Sequence, residues 1–577
     1  MEKFKIKLKK TYQNVKYNIK KYIKELTIPF IMVLLAIFIL IIPLLNNKIS
    51  FGHDYKFHAT NTIINYDSID ILKLKLTLPQ IYGKNIANGL GYGTGIFYPS
   101  LTNYLASYIT VILNLTYQNS VLSLTYLGIL IIIASGLIMY KFTKRISNDK
   151  YVSAISAITY ISYSYFLCNI YARNALGESL ISIFLPLVLY GLYELFLGNE
   201  EKFIPLFVTG YVGMINSHLV ISIFITIIII IMFLFNLKKV SKKEKLKKLI
   251  LASILILLMS GQYLVPLLEH RILGEYVVFE ENVMYNITSI KQHTLNIFDY
   301  VLVKYKTGNG VEVYFGFITI ISMIITIILN RKIFKNNEKK VFKNILLLTI
   351  ISMILSSKII PWNYVPQYLK MIQFPWRICG ITSLGVSILS GYFIKLIEPK
   401  YKKTVSIFMI LIIIFFGYAT IPKENMQEIF HPAELSIGNQ QEYLPVKTKN
   451  NLDYFENRNQ EIIIKNGNAK IKTKENITPY LNTEIELMTE KVTIELPRLY
   501  YLGYKIILKE QNGNKNKIDY YENEYGFIEL EINKSGILEV DYKGTIANRI
   551  SNYICFITIA ICVIKFIYNL HIKKKKD

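Results

Sequence analysis

Cysteine is scarce in this sequence, with four residues among 577. They are Cys168, Cys379, Cys555 and Cys562, and all four lie in or beside apolar runs. No two of them form a Cys-x-x-Cys pair. Disulfide frameworks and structural zinc sites both depend on grouped cysteines, so the sequence indicates neither.

Acidic residues are also few, with 40 Asp and Glu against 66 Lys and Arg, for a formal net charge of +26. In a soluble protein this excess would suggest nucleic acid. Here, however, most basic residues stand in short clusters between apolar runs, and 52% of the chain is hydrophobic. The composition predicts a polytopic α-helical membrane protein whose basic clusters fix topology and meet membrane lipid, with no nucleic-acid partner.

Recurring apolar runs predict the membrane spans, and a count of about twelve places every basic cluster on the same, cytoplasmic side. Both termini are then cytoplasmic. If the run 99–115 also crossed the membrane, the next basic cluster would fall on the outer side. We therefore expect this run to be a helix at the outer interface. The predicted spans are 27–45, 121–140, 151–167, 176–197, 203–217, 219–237, 249–267, 314–330, 344–357, 375–397, 404–421 and 550–570.

The chain divides into four predicted regions. Residues 1–26 form a basic cytoplasmic segment, and 27–421 form a transmembrane domain whose large first outer loop is 46–120. Period-two alternation within 422–549 predicts an extracytoplasmic all-β domain, a sandwich, with a hairpin about the Asn466-Gly467 turn. Residues 550–577 complete the chain with a final helix and a basic tail.

The segment after the first span carries a carboxylate and two imidazoles, Asp54 between His53 and His58. Ionisable groups at a membrane boundary are costly, so they commonly have a function. Asp54 is a candidate general base, and His58, four residues later, would share its helix face. The pair could share a proton or hold a divalent cation. The alternative is an interfacial N-cap aspartate with hydrogen-bonded histidines.

Further polar residues stand at predicted outer ends of spans. Arg173 could hold a phosphate, or could form an internal ion pair with Glu178 that orients the helix. His218 lies in a turn between two spans, where a structural role competes with ligand binding. Arg377, after Gln373, could bind a lipid phosphate or snorkel to headgroups. The glycine-rich segment 89–95 lacks the lysine of a phosphate loop and is predicted to be a flexible outer loop.

These motifs, in this order, resemble a known bacterial membrane family, the 6-pyruvoyl-tetrahydropterin synthase-related membrane proteins. The similarity is carried by GHDYKFH at 52–58, GLGYGTGIFYPSL at 89–101, YARNALGE at 171–178, NSH at 216–218 and QFPWR at 373–377. Segments 496–504 and 542–551 are similar to the outer β-domain of YfhO-like membrane proteins. Both groups resemble GT-C glycosyltransferases. No His-x-His pair is present, so the zinc site of soluble pterin synthases is not predicted.

The resemblance implies a GT-C-like fold in a bacterial plasma membrane. It also implies transfer of a sugar from a polyprenyl phosphate to a cell-envelope polymer or lipid. Asp54 would be the catalytic base, assisted by His58. The residues expected to bind substrate are His53, Arg173, Glu178, His218, Gln373 and Arg377. Asp54 stands alone and is not part of an acidic pair, so the binding of a divalent cation by Asp54 and His58 stays open. Two other functions stay open: a transporter or flippase of lipid-linked saccharide, and a non-catalytic envelope scaffold.

Overall fold

The computed structural model describes residues 27–83, 86–300, 305–306, 312–330, 334, 336–428 and 441–576. The predicted basic segment 1–26 lies outside them. Most of the described chain is helical. The helices of eight or more residues are Ile28–Ile41, Tyr55–Ile64, Leu101–Ile112, Leu122–Ser147, Lys150–Ser162, Ser164–Tyr171, Leu176–Leu197, Phe203–Ser217, Leu219–Leu234, Lys243–Leu273, Phe317–Ile328, Asn336–Leu355, Cys379–Tyr392, Pro399–Ala419 and Ile546–Lys576.

Each of the twelve predicted spans overlaps one of these helices. Among the described residues, six helical stretches are long and apolar enough to cross a bilayer: Leu122–Ser147, Leu176–Leu197, Lys243–Leu273, Pro375–Leu396, Pro399–Ala419 and Ile546–Asn569. Shorter apolar helices are Ile28–Leu44, Leu219–Leu234 and Phe317–Ile328. The chain is therefore a multi-pass helical membrane protein, which confirms that part of the predicted fold class.

The predicted span 151–167 is broken at Tyr163, where the backbone is extended (φ −69°, ψ 135°). Ser164 begins a new helix and exchanges hydrogen bonds with the backbone of Tyr314, accepting from N at 2.5 Å and donating to O at 3.0 Å. The Tyr163 ring stacks on Phe315 at 4.2 Å between centroids. Contacts about 150 residues away in sequence hold this break, so the apolar run could not reveal it.

Thirteen short strands are present in the described chain. They are β1 (Lys48–Ser50), β2 (Tyr305–Lys306), β3 (Glu312–Val313), β4 (Met426–Glu428), β5 (Ile463–Asn466), β6 (Ala469–Ile477), β7 (Tyr480–Leu487), β8 (Val492–Leu499), β9 (Tyr504–Glu510), β10 (Lys515–Lys517), β11 (Tyr521–Glu522), β12 (Phe527–Ile532) and β13 (Gly536–Tyr542). Strands β5 to β13 make up the β-domain.

The β-domain consists of two antiparallel sheets, ordered β10-β9-β13-β7-β6 and β11-β12-β8-β5. Buried side chains from both sheets, such as Leu481, Ile494 and Leu538, belong to one core. This confirms the predicted all-β domain. The predicted hairpin at Asn466-Gly467 is wrong, because β5 pairs with β8 and β6 pairs with β7. Gly467 (φ +80°) permits the turn, but the chain turns there from one sheet into the other.

The glycine-rich segment 89–95 is buried against the β-domain, so the predicted flexible loop is wrong. Leu499 N donates to Leu90 O at 2.9 Å. A Cβ on Gly93 would lie 2.7 Å from the Tyr501 ring, and one on Gly95 would lie 2.6 Å from the Gln80 backbone. Gly93 thus allows close packing of the first loop against the β-domain, and Gly95 allows close packing within the loop itself.

Candidate active site

A cavity of about 550 Å³ lies where the first loop meets the helix ends on the β-domain side of the bundle. Cavities of this size commonly hold small molecules. All eight residues predicted to act in the site line it, although they are spread over more than 300 positions of sequence. They are His53, Asp54, His58, Arg173, Glu178, His218, Gln373 and Arg377.

Backbone contacts fix Asp54 beside Arg173. Asp54 N donates to Arg173 O at 2.8 Å, and the Asn174 side chain donates to Ser50 O at 2.8 Å. A Cβ on Gly52 would lie 2.3 Å from the Arg173 carbonyl carbon. Only glycine permits this approach without displacement of one segment. The GHD motif therefore places a carboxylate against the YARN motif.

The Asp54 carboxylate is available to a ligand. Asp54 occupies the N-cap position of helix Tyr55–Ile64, but its side chain makes no capping hydrogen bond. Its side chain is 41% exposed, and Oδ2 lies 3.6 Å from Arg173 Nη2. The N-cap alternative is therefore not what the structure shows, since the carboxylate faces the cavity instead of the helix amides.

The His58 imidazole is buried, and one of its two nitrogens has no hydrogen-bond partner in the described part of the chain. Nδ1 makes no hydrogen bond to any described residue, and the residue is 2% exposed. Burial lowers the pKa of His58 to about 4, against an opposing effect from Asp54. The ring is therefore neutral near pH 7. The predicted sharing of a proton with Asp54 is absent from the described contacts, and an unpaired buried nitrogen is costly unless a ligand satisfies it.

Glu178 is the centre of a buried ion network. Its carboxylate is 4% exposed and accepts from Arg173 Nη1 at 2.6 Å and from Arg377 Nε at 2.9 Å. Tyr165 also donates to it, at 3.1 Å, and His218 Nε2 lies 3.7 Å away. Of the two predicted alternatives for Arg173 and Glu178, the structure shows the ion pair.

The two arginines differ in the hydrogen-bond partners of their guanidinium groups. Arg173 Nη1 also donates to Asn169 at 2.8 Å, and its guanidinium stacks on Trp376 at 4.6 Å. Arg377 Nη1 donates to the side chain of Gln373 at 3.1 Å, while its Nη2 makes no hydrogen bond within the described chain. Arg173 Nε also makes no hydrogen bond within the described chain. Because the Arg377 side chain is the more exposed, at 11% against 7%, and its free donor is a terminal one, Arg377 is the better placed of the two to receive an anionic ligand.

Sequence reasoning missed Glu442, which also lines the cavity. It is fixed through its neighbour Tyr443, whose N–H donates to Tyr92 at 3.2 Å and whose carbonyl accepts from Tyr501 at 2.7 Å. Burial raises the pKa of the Glu442 carboxyl, which feels the charges of Arg377 and Asp54. No motif marks this residue, because the fold of the chain far from the first loop brings it here.

The predicted cation ligands Asp54 and His58 do not form a complete site. Among the described residues, no three His, Cys, Asp or Glu side chains are grouped closely enough to hold a metal ion. Zinc usually takes at least three protein ligands, so these two residues do not fit a zinc site. Mg²⁺ is commonly held by one or two carboxylates together with waters and substrate phosphates, so a divalent cation on Asp54 and His58 stays open.

No known family model and no curated protein match the sequence, so the pterin synthase-related and YfhO-like names stay predictions. Among solved structures, the chain is similar to ArnT from Cupriavidus metallidurans bound to undecaprenyl phosphate, at 9% identity and a TM-score of 0.41 over 66% of this chain and 62% of that one. It is similar to the apo oligosaccharyltransferase of Archaeoglobus fulgidus, at 11% identity and a TM-score of 0.44 over 75% and 58% of the two chains.

A third similar structure is the archaeal oligosaccharyltransferase AglB from Archaeoglobus fulgidus, in complex with an inhibitory peptide and a dolichol-phosphate. Its identity is 12% and its TM-score 0.33, over 69% of this chain and 56% of that one. The chain thus spans less than two thirds of the length of each of these structures. Because every TM-score is below 0.5, the function proposed next rests on the residues of the cavity.

Proposed function

We propose that the chain is a GT-C-type glycosyltransferase, which moves a sugar from a polyprenyl phosphate to a hydroxyl on a cell-envelope polymer or lipid. One observation carries the proposal. A single cavity joins an exposed carboxylate, Asp54, to a guanidinium with a free donor, Arg377, and to the His58 imidazole, whose Nδ1 has no partner among the described residues. A base and an anion-binding group in one cavity suit displacement of a phosphate leaving group.

The proposed step is a displacement at the sugar's anomeric carbon. Asp54 accepts the proton of the acceptor hydroxyl, whose oxygen forms a bond to that carbon. The bond between the carbon and the phosphate oxygen breaks, and its electron pair leaves with the polyprenyl phosphate. Arg377 donates hydrogen bonds to the departing phosphate, where negative charge develops. Neutral His58 hydrogen-bonds the substrate and does not act as the base.

Charged side chains of both signs line the cavity. Three are basic and three are acidic: Lys56, Arg173, Arg377, Asp54, Glu178 and Glu442. Burial raises the pKa of Glu442, and the charge of Arg377 opposes this shift. Arg173 is held by Glu178 and therefore serves to position Asp54 and Arg377.

The proposed setting is a bacterial plasma membrane, with the β-domain outside and both termini in the cytoplasm. The polyprenyl chain would stay among the lipids while the phosphate and sugar enter the cavity. The β-domain supports this arrangement, because the segment that leads into it supplies Glu442 and Tyr443 to the cavity wall.

A turnover assay tests the proposal. Purified protein in lipid bilayers is given radiolabelled polyprenyl-phosphate sugars together with envelope acceptors. We expect wild type and Asp519→Asn to release sugar from the carrier, since the Asp519 side chain is 98% exposed in the β-domain. We expect Asp54→Asn to bind the donor without releasing the sugar.

Other outcomes separate the alternatives. Equal turnover by Asp54→Asn and wild type would refute the assigned base. Donor binding without release by either protein, with suitable acceptors present, would favour a transporter or flippase of lipid-linked saccharide. Absence of donor binding would favour a scaffold.

A further inference from the structure

A second unusual feature lies in the first loop, away from the cavity. Residues 71–77 are all exposed, and they contain four large apolar side chains. Leu72 is 96% exposed and Leu74 is 80% exposed. We call residues 70–76 the leucine hairpin. Large apolar side chains are seldom grouped on a water-facing loop, because water contact is unfavourable for each of them.

The backbone of the leucine hairpin is held in place. Asp70 and Lys75 exchange backbone hydrogen bonds of 2.8 and 2.9 Å, and the Asp70 carboxylate accepts from Lys73 N at 3.1 Å. Leu74 adopts a φ of +53°, a conformation that is unfavourable for side chains other than glycine and asparagine. The hairpin therefore presents its leucines outward in a defined shape.

The hairpin rests on helix Leu101–Ile112. Tyr108 donates to Leu76 O at 3.1 Å, and Tyr104 accepts from Leu78 N at 3.2 Å. Tyr104 in turn interacts electrostatically with Cys555. Cys555 lies within the candidate membrane span Ile546–Asn569, so the helix that supports the hairpin lies beside a candidate span.

The surface continues beyond the hairpin. At the end of the same helix, Ile112 is 70% exposed and Leu113 is 49% exposed. The polar residues of this helix, such as Asn103 and Ser107, are buried against the protein. Its apolar residues are thus less buried than its polar ones, although Leu101, Leu105 and Ile109 still pack partly against the core; a more exposed apolar side is expected for a helix at a lipid interface. The hairpin leucines extend this apolar surface.

Charge also fits a lipid partner. The Lys73 side chain is 83% exposed and lies 3.2 Å from Asp70, beside the two leucines. Leucines next to lysines suit the boundary between acyl chains and anionic headgroups, where the apolar groups enter the bilayer and the ammonium stays among phosphates.

We propose that the leucine hairpin anchors the first loop in the bilayer: Leu72 and Leu74 insert among acyl chains of the leaflet on the β-domain side, and Lys73 contacts anionic headgroups. This proposal does not depend on the proposed transferase activity. It gives the first loop, which carries Asp54, a second attachment besides its contacts with the helical bundle.

Tryptophan quenching in the full-length protein tests the anchor. Leu72→Trp and the control Ile477→Trp are each reconstituted into phosphatidylcholine–phosphatidylglycerol vesicles with or without acyl-brominated lipid. Ile477 is a 67%-exposed apolar residue of the β-domain. The quenching of wild type, which holds two native tryptophans, is subtracted. We expect bromolipid to remove most of the added emission of Leu72→Trp and little of that of Ile477→Trp.

A second variant tests the headgroup contact. Adding Lys73→Glu to Leu72→Trp should reduce the quenching in anionic vesicles and leave it unchanged in pure phosphatidylcholine. Quenching of Leu72→Trp that does not exceed the Ile477→Trp control, combined with full access to aqueous iodide, would overturn the proposal. Protection from both quenchers, with a dimer in cross-linking, would also overturn it, since the partner would then be a second copy of the chain.

Discussion

Replacing Glu178 with glutamine should destabilise the protein strongly, because one carboxylate compensates two buried arginines. The side chains of Arg173 and Arg377 are 7% and 11% exposed. Glu178→Gln keeps the size of the side chain but removes its charge. Two guanidinium groups, with limited access to water, would then lose their shared partner, and the remaining ion pair is the 3.6 Å contact between Asp54 and Arg173.

The expected loss follows from the cost of an uncompensated buried charge. Removing one partner of a buried ion pair typically costs about 3–5 kcal/mol. Glutamine can still accept one hydrogen bond from an arginine, which recovers part of this loss. Because two arginines lose their charged partner, the total loss is larger than for a single pair. We therefore expect Glu178→Gln to lower the free energy of unfolding by roughly 3–5 kcal/mol.

The same helix, Leu176–Leu197, supplies a matched control. Glu194 is also fully buried and accepts from Arg145 Nε at 2.7 Å, but the Arg145 side chain is 40% exposed. After Glu194→Gln, Arg145 can still be hydrated, so we expect a smaller loss of roughly 1–2 kcal/mol. The assay is unfolding in detergent micelles by a denaturing detergent, followed by circular dichroism.

An equal or smaller loss for Glu178→Gln than for Glu194→Gln would refute this reasoning, since burial of the partner arginines would then not set the cost. A smaller loss of stability in Glu178→Asp than in Glu178→Gln would support it, because aspartate keeps the charge of the side chain while glutamine keeps its size.

Three further results are expected. Arg377→Lys keeps the charge but lacks the planar donor pair, so binding of farnesyl phosphate should weaken by about ten- to a hundredfold, at about 1.5–3 kcal/mol per lost charged hydrogen bond. Calorimetry measures this affinity, and an unchanged value would remove Arg377 from the phosphate site. The pKa of His58 is 6.5 in the unfolded chain and about 4 in the folded protein, so the unfolded state binds the proton first as the pH falls. The free energy of unfolding should therefore drop by roughly 3 kcal/mol between pH 6.5 and pH 4, at about 1.36 kcal/mol per unit. His58→Asn should lack this loss in pH-dependent melting, and a profile identical to wild type would contradict the pKa shift. Gly52→Ala forces a Cβ against Arg173 and should lower turnover. In the control Gly380→Ala the added Cβ would lie 3.7 Å from its nearest neighbouring atom, so this variant should keep wild-type activity. Equal activities of the two variants would show that the first loop can shift without loss of function.

The sequence predicted the helices well because membrane insertion is a local requirement. A run of about twenty apolar residues must satisfy its own backbone hydrogen bonds within the bilayer, so its position can be read from composition alone. Alternating residues in the last predicted outer segment identified the all-β domain for a similar reason, since alternation follows from the geometry of a single strand. Polar residues at span ends stood out because apolar surroundings make them costly.

Tertiary structure decided what depends on distant partners. The break at Tyr163 is held by Tyr314, and the separation of β5 from β6 is set by which sheet each strand joins. Arg173 and Arg377 could both be predicted to bind phosphate, but only the fold shows that both contact one carboxylate, that of Glu178. Glu442 enters the cavity because the chain folds back after its helices. The sequence thus determined which residues are costly at the boundary, and the fold decided which of them pair with each other, since pairing depends on contacts between segments far apart in the chain.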